Sequence, residues 1–151
     1  RVARSNIWGL TRLGARVTVC GPSTLLPAGI ERMGVTVSYD IDEVMRQNDV
    51  LMLLRLQQER QEEKFLPSVR EYARVFGVHQ DRLRRSGREL LIMHPGPTNR
   101  GVELSAEVAD GSSSVILDQV TNGVAVRMAV LYLLSGRKTA PEERRDLSGV
   151  A

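Results

Sequence analysis

The sequence holds one cysteine, Cys20, so no disulfide can close within it, and only two histidines, His79 and His94, which lie well apart. That usage fits a reducing compartment, and a cytoplasmic protein is expected. Beside the apolar run Val17-Thr18-Val19, Cys20 reads as a core residue rather than a nucleophile. No stretch approaches the ~18 apolar residues that a membrane-spanning helix needs. The opening Arg1-Val2-Ala3-Arg4-Ser5-Asn6 lacks the apolar core of a signal peptide. No membrane partner is therefore expected. Metal-ligand spacings, a Gly-rich phosphate loop and a Ser/His/Asp arrangement are also missing. Neither metal nor cofactor is expected, and a nucleotide-binding Rossmann domain is disfavoured for want of its G-x-G-x-x-G turn. Net charge is only +3. The basic cluster Arg82, Arg84, Arg85, Arg88 is short and has no interleaved aromatics. It reads as a solvated helix face and turn, and no nucleic-acid partner is expected.

What is present suits one ordinary globular domain: 151 residues, 42% hydrophobic and 26% charged. Short β-rich runs alternate with amphipathic stretches. Residues 4–13 predict a helix, with Ile7, Leu10 and Leu13 on one stripe and Gly14 as its stop. A strand over 16–20 follows, then a Gly21-Pro22 turn, a short helix over 27–33 ended by Gly34, and a strand over 35–39. Asp40 is placed to cap a helix over 41–47, and 49–54 is a third strand. A fourth strand, 90–93, runs into His94-Pro95-Gly96-Pro97. Strand-helix alternation with strands apolar throughout predicts an α/β fold, a parallel sheet with helices on both faces. Between the third and fourth strands lies a polar stretch, 55–88, holding a helix over 68–76; its part 57–64 is a candidate functional loop. Residues 117–134 read as a helix that is apolar nearly all round from Val124 onward, which demands burial on every side.

In an open parallel sheet, ligands collect at the carboxyl ends of the strands. Arg55-Leu56-Gln57-Gln58-Glu59-Arg60 follows the third strand and His94-Pro95-Gly96-Pro97-Thr98-Asn99-Arg100 the fourth, while Arg1 precedes the first helix. Guanidinium forks match carboxylates bidentately, so arginines gathered at one edge suit a dianionic substrate. Taken singly, Arg55 is a surface ion-pair partner, His94 a hydrogen-bonded structural residue and Pro95-Gly96-Pro97 a turn. These features support an anion-binding α/β domain.

Arg1-Val2-Ala3-Arg4-Ser5-Asn6, Gly21-Pro22-Ser23-Thr24-Leu25-Leu26-Pro27, Arg55-Leu56-Gln57-Gln58-Glu59-Arg60, His94-Pro95-Gly96-Pro97 and Asn122-Gly123-Val124-Ala125-Val126-Arg127 together resemble the aspartate/ornithine carbamoyltransferase family, from residue 1 to about residue 136. The resemblance lies on the aspartate branch. The ornithine branch has a Cys-Leu-Pro turn after the histidine and a Ser-Met-Gly stretch, whereas Gly96 and the Arg55–Gln57 segment stand here. An arginine suits the second carboxylate of aspartate and repels the ammonium of ornithine.

The resemblance implies an aspartate site of Arg1, Arg55 and Gln57, and a carbamoyl phosphate site in which the carbonyls of Gly96 and Pro97 hold the amino group. It implies a cis Gly96–Pro97 bond and a mobile loop over 59–72. It further implies carbamoyl transfer from carbamoyl phosphate to L-aspartate without metal or covalent intermediate, in a trimer of catalytic chains. The family's amino-terminal, phosphate-binding half with its Ser-x-Arg-Thr motif has no counterpart in these residues, so the chain alone is expected to be inactive. Residues 1–114 are expected to form the aspartate-binding domain, 115–136 a helix that packs on the carbamoyl-phosphate half, and 137–151 a flexible tail. The other reading is a non-catalytic interaction subunit or degenerate fragment, motivated by the apolar last helix.

Overall fold

Two pairs of three-residue parallel strands carry the fold in a computed structural model, which describes residues 1–57 and 68–135. Most of the expected loop 59–72, and the whole of the expected tail, lie outside those residues. Strand β1 (Thr18–Cys20) pairs with β2 (Thr36–Ser38), and β3 (Val50–Met52) with β4 (Leu91–Met93), both parallel. The parallel α/β class is as expected, while the single four-stranded sheet is resolved into two ladders. Cover is also uneven. Leu51 and Ile92, register partners, are buried, but their neighbours Val50 and Leu91 on the opposite face remain 47% and 41% exposed. Side chains alternate across a strand, so one face of this pair meets the core and the other is only partly covered.

Helices start and stop where local chemistry dictates. Helix α1 (Val2–Arg12) buries Ile7 and gives way to Gly14, whose φ of +81° a side chain would oppose. The helix expected over 27–33 shrinks to a 3-10 turn, Ile30–Met33. Gly29 before it has φ +74°, a left-handed conformation no right-handed helix can include. Asp40 caps α2 (Ile41–Gln47), its carboxylate accepting from the backbone N–H of Asp42 and Glu43. Ser68 caps α3 (Val69–Phe76) by accepting from Glu71 N–H.

Two short helices went unforeseen: α4 (Gln80–Ser86) and α5 (Ala106–Ala109). Helix α4 also corrects the reading of the basic cluster, since Arg82 is only 7% exposed. Its guanidinium donates to the Gly77 and Arg74 carbonyls at 2.6 and 3.4 Å and lies 3.0 Å from Asp42. Arg84 and Arg88 pair with Asp81 and Asp49. Arg82 is thus drawn in to cap the end of α3 and tie α4 to α2, while Arg84, Arg85 and Arg88 stay exposed as the expected solvated face and turn.

The main core joins Ile41 and Met45 of α2, Leu51, Ile92, Val78, Leu104, Val108 and Ile116. A smaller cluster joins Ile7, Ile30 and Val35. Contacts divide the chain into two units, Arg1–Val120 and Thr121–Ala151. Helix α6 (Ile116–Leu134) begins in the first; in the second, its side chains from Val124 to Leu134 are largely exposed. No helix among the described residues is long and apolar enough to cross a membrane.

Candidate functional site

Because β3 and β4 are parallel neighbours, the segments that follow them leave the sheet at the same edge. Pairing continues one residue further, with Leu53 N–H donating to the Met93 carbonyl at 2.8 Å. Beyond it, Leu56 is buried, Arg55 is half-buried and Gln57 is exposed. The Asn99 side chain donates to the Leu56 carbonyl at 3.1 Å. That bond ties the segment bearing Arg55 and Gln57 directly to the turn bearing Gly96 and Pro97. The turn has the expected cis Gly96–Pro97 bond, and Gly96 adopts φ +68°, where a residue with a side chain is strained.

The turn hangs on buried polar groups. His94 is wholly buried; its backbone N–H donates to Gln119 Oε1 at 2.9 Å, and Gln119 also reaches Met52 Sδ at 3.6 Å. Thus the first turns of α6 brace the ends of both strands. Gly96 N–H donates to His94 Nδ1 at 2.9 Å. On the far side of the ring, Nε2 lies 3.4 Å from Oε1 of Glu103, itself 1% exposed. The same carboxylate oxygen accepts from Asn99 N–H. Glu103 is held by its own backbone, whose carbonyl accepts from Val78 N–H at 2.9 Å while Ser105 N–H donates to Val78. Nearby, burial first and the charge of Glu103 second push the Tyr72 phenol up to about 12. Burial, reinforced by Asp40, pushes the Cys20 thiol up to about 11, which suits a core residue.

Four of the five expected site residues therefore share one edge: Arg55, Gln57, Gly96 and Pro97. Arg1 stands apart in these interactions. It heads α1, exposed, with its carbonyl accepting from Ser5. Arg100, at the end of the turn, is committed to a bidentate pair with Asp110 at 2.6 and 2.9 Å, which holds the Asp110 carboxyl below its ordinary range. Sequence reasoning missed Glu103, Asn99 and Gln119 as groups of the site. Glu103 alone left a signal, a carboxylate flanked by Val102 and Leu104; Asn99 and Gln119 look like ordinary polar residues until folding brings them to the turn.

A family model described as Aspartate/ornithine carbamoyltransferase, Asp/Orn binding domain, matches residues 1–134. The aspartate carbamoyltransferase catalytic subunit of Gemmatimonas aurantiaca is 63% identical over 91% of this chain and 43% of its own length. That of Halothermothrix orenii is 57% identical over 95% and 46%. The chain thus spans less than half the length of these curated relatives. Among solved structures, the aspartate transcarbamoylase of Trypanosoma cruzi in complex with carbamoyl phosphate is similar with a TM-score of 0.62 and 28% identity, over 77% of this chain and 39% of that one. The ornithine carbamoyltransferase of Gloeobacter violaceus shares the fold, with a TM-score of 0.71 and 23% identity over 89% and 47%. On this match, which takes in both loops of the strand-end site, the chain belongs to the aspartate/ornithine carbamoyltransferase family.

Proposed function

We propose that this chain supplies the aspartate-binding half of an enzyme that transfers the carbamoyl group from carbamoyl phosphate to L-aspartate, an early step of pyrimidine synthesis. The observation that carries the reading is the Asn99–Leu56 tether, which joins a guanidinium-bearing segment to the Gly96–Pro97 turn at one sheet edge. Arg55 and Arg1 take the carboxylates of aspartate, with Gln57 helping to place it. The carbonyls of Gly96 and Pro97 accept from the carbamoyl amino group. The neutral amine of aspartate attacks the carbamoyl carbon, a C–N bond forms, and the C–O bond to phosphate breaks. Phosphate leaves with the electron pair, and the amine gives up one proton. Orientation of two anions supplies most of what these residues contribute. The 57–63% identical relatives described above are named for aspartate, which supports that substrate over ornithine.

The division of labour expected from the sequence belongs to the same proposal. Residues 1–114 bind aspartate and 115–136 pack on a carbamoyl-phosphate domain, within a cytoplasmic trimer. Joining this chain to the amino-terminal half of the Gemmatimonas aurantiaca relative tests the function. The joined protein is expected to carbamoylate aspartate and leave ornithine untouched. Arg55→Ala should raise the KM for aspartate about a hundredfold, the loss of a charge-assisted pair, with little change for carbamoyl phosphate. Turnover of ornithine, or an Arg55→Ala protein with the parent KM for aspartate, overturns the reading.

A further inference from the structure

We infer that Glu103 is a positioning residue for the carbamoyl group, setting the Gly96–Pro97 turn through His94 and the Asn99 backbone; the inference rests on the carbamoyl phosphate role proposed for that turn. A carboxylate buried this deeply is costly, a cost that an apolar side chain of similar volume would avoid. Glu103 is nearly without access to solvent, so it does not meet substrate; what it does meet is the turn, from both ends.

The imidazole shows how. Nδ1 accepts from Gly96 N–H, so its lone pair is in use and the ring proton sits on Nε2. A proton on Nδ1 would set two donors against each other. Nε2 faces Glu103 Oε1 across 3.4 Å, too poorly aligned for a hydrogen bond but close enough for the carboxylate to favour a proton there. Glu103 thereby selects the tautomer that can receive Gly96, just before Pro97. The same oxygen takes Asn99 N–H, two residues after Pro97. One buried carboxylate thus clamps both flanks of the two carbonyls.

The test uses the joined, active protein and three variants, Glu103→Leu, Glu103→Gln and His94→Leu. Glu103→Leu and His94→Leu are each expected to raise the KM for carbamoyl phosphate by about tenfold or more, leaving that for aspartate within about twofold. Glu103→Gln, which keeps an oxygen for Asn99 and His94, is expected to restore most of the loss. Nitrogen NMR of the parent should show His94 protonated at Nε2 and bare at Nδ1. A Glu103→Leu protein that folds with the parent KM for carbamoyl phosphate, or one in which both KM values rise together, overturns the proposal. Should Glu103→Leu fail to fold, a ring protonated at Nδ1 overturns it and the Nε2–H tautomer upholds it. Failure of the functional reading looks different: the parent itself would then not carbamoylate aspartate, or would ignore Arg55→Ala.

Discussion

Burial pushes the Tyr72 phenol up to about 12 and the Cys20 thiol up to about 11. Both folded values exceed the ordinary ones, so the fold favours the protonated forms. Their contribution to stability is complete below about pH 9 and is lost as pH rises through about 11 and 12. Thermal melting is expected to hold steady to about pH 9 and to fall from there through about pH 12. An ultraviolet titration should show one of the three tyrosines ionising late, a step that disappears in Tyr72→Phe. A Tyr72 phenol that titrates with the other two would contradict the burial seen here. Arg82 makes a related point about side chains: in sequence it is one of four basic residues, yet its neighbours turn it into a cap for the carbonyls of Arg74 and Gly77.

Among the elements, the junction between α3 and α4 is the least tolerant. Gly77 has φ −64°, so its backbone could carry any residue; space is the obstacle. A Cβ there would run into the Ala73 carbonyl oxygen and stand 2.7 Å from that of Val102. Gly77→Ala is expected to destabilise the protein by about 2–3 kcal/mol in urea unfolding, the scale of an overpacked interior. It should also weaken carbamoyl transfer in the joined protein, because Val78, next in line, holds the backbone of Glu103. Wild-type stability in Gly77→Ala would mean that the two segments do not approach so closely. Asp40 and Ser68 each supply the acceptor that a helix N-terminus lacks, and the Asp40 cap was legible beforehand.

For the molecule as a whole, the proposed site is one-sided. On the proposed reading the described edge would grip an amino acid and a carbamoyl group, and these 151 residues contain no Ser-x-Arg-Thr motif to take the leaving phosphate. The chain by itself is expected to give no carbamoyl aspartate from labelled aspartate, at any substrate level, because charge on the departing phosphate goes unstabilised. Product from the purified chain alone would refute this. The side chains from Val124 to Leu134 are largely apolar and exposed, which supports the proposed packing of this helix on a carbamoyl-phosphate half.

Local chain rules, readable without coordinates, account for most elements: the cap at Asp40, the glycine stops at Gly14 and Gly34, and the strand-to-turn passage at His94. They work because each depends on a few neighbouring residues. Arg55, Gln57, Gly96 and Pro97 were legible for the same reason, as segments that follow apolar runs. The split into two strand pairs, the tie of Arg82 to Asp42 and that of Asn99 to Leu56 depend on residues tens of positions apart. The pairing of His94 with Glu103 spans less chain, but it too exists only because packing buries both. A carboxylate near an apolar run has no fixed meaning in a chain; only packing, by removing water from it, turns it into a clamp.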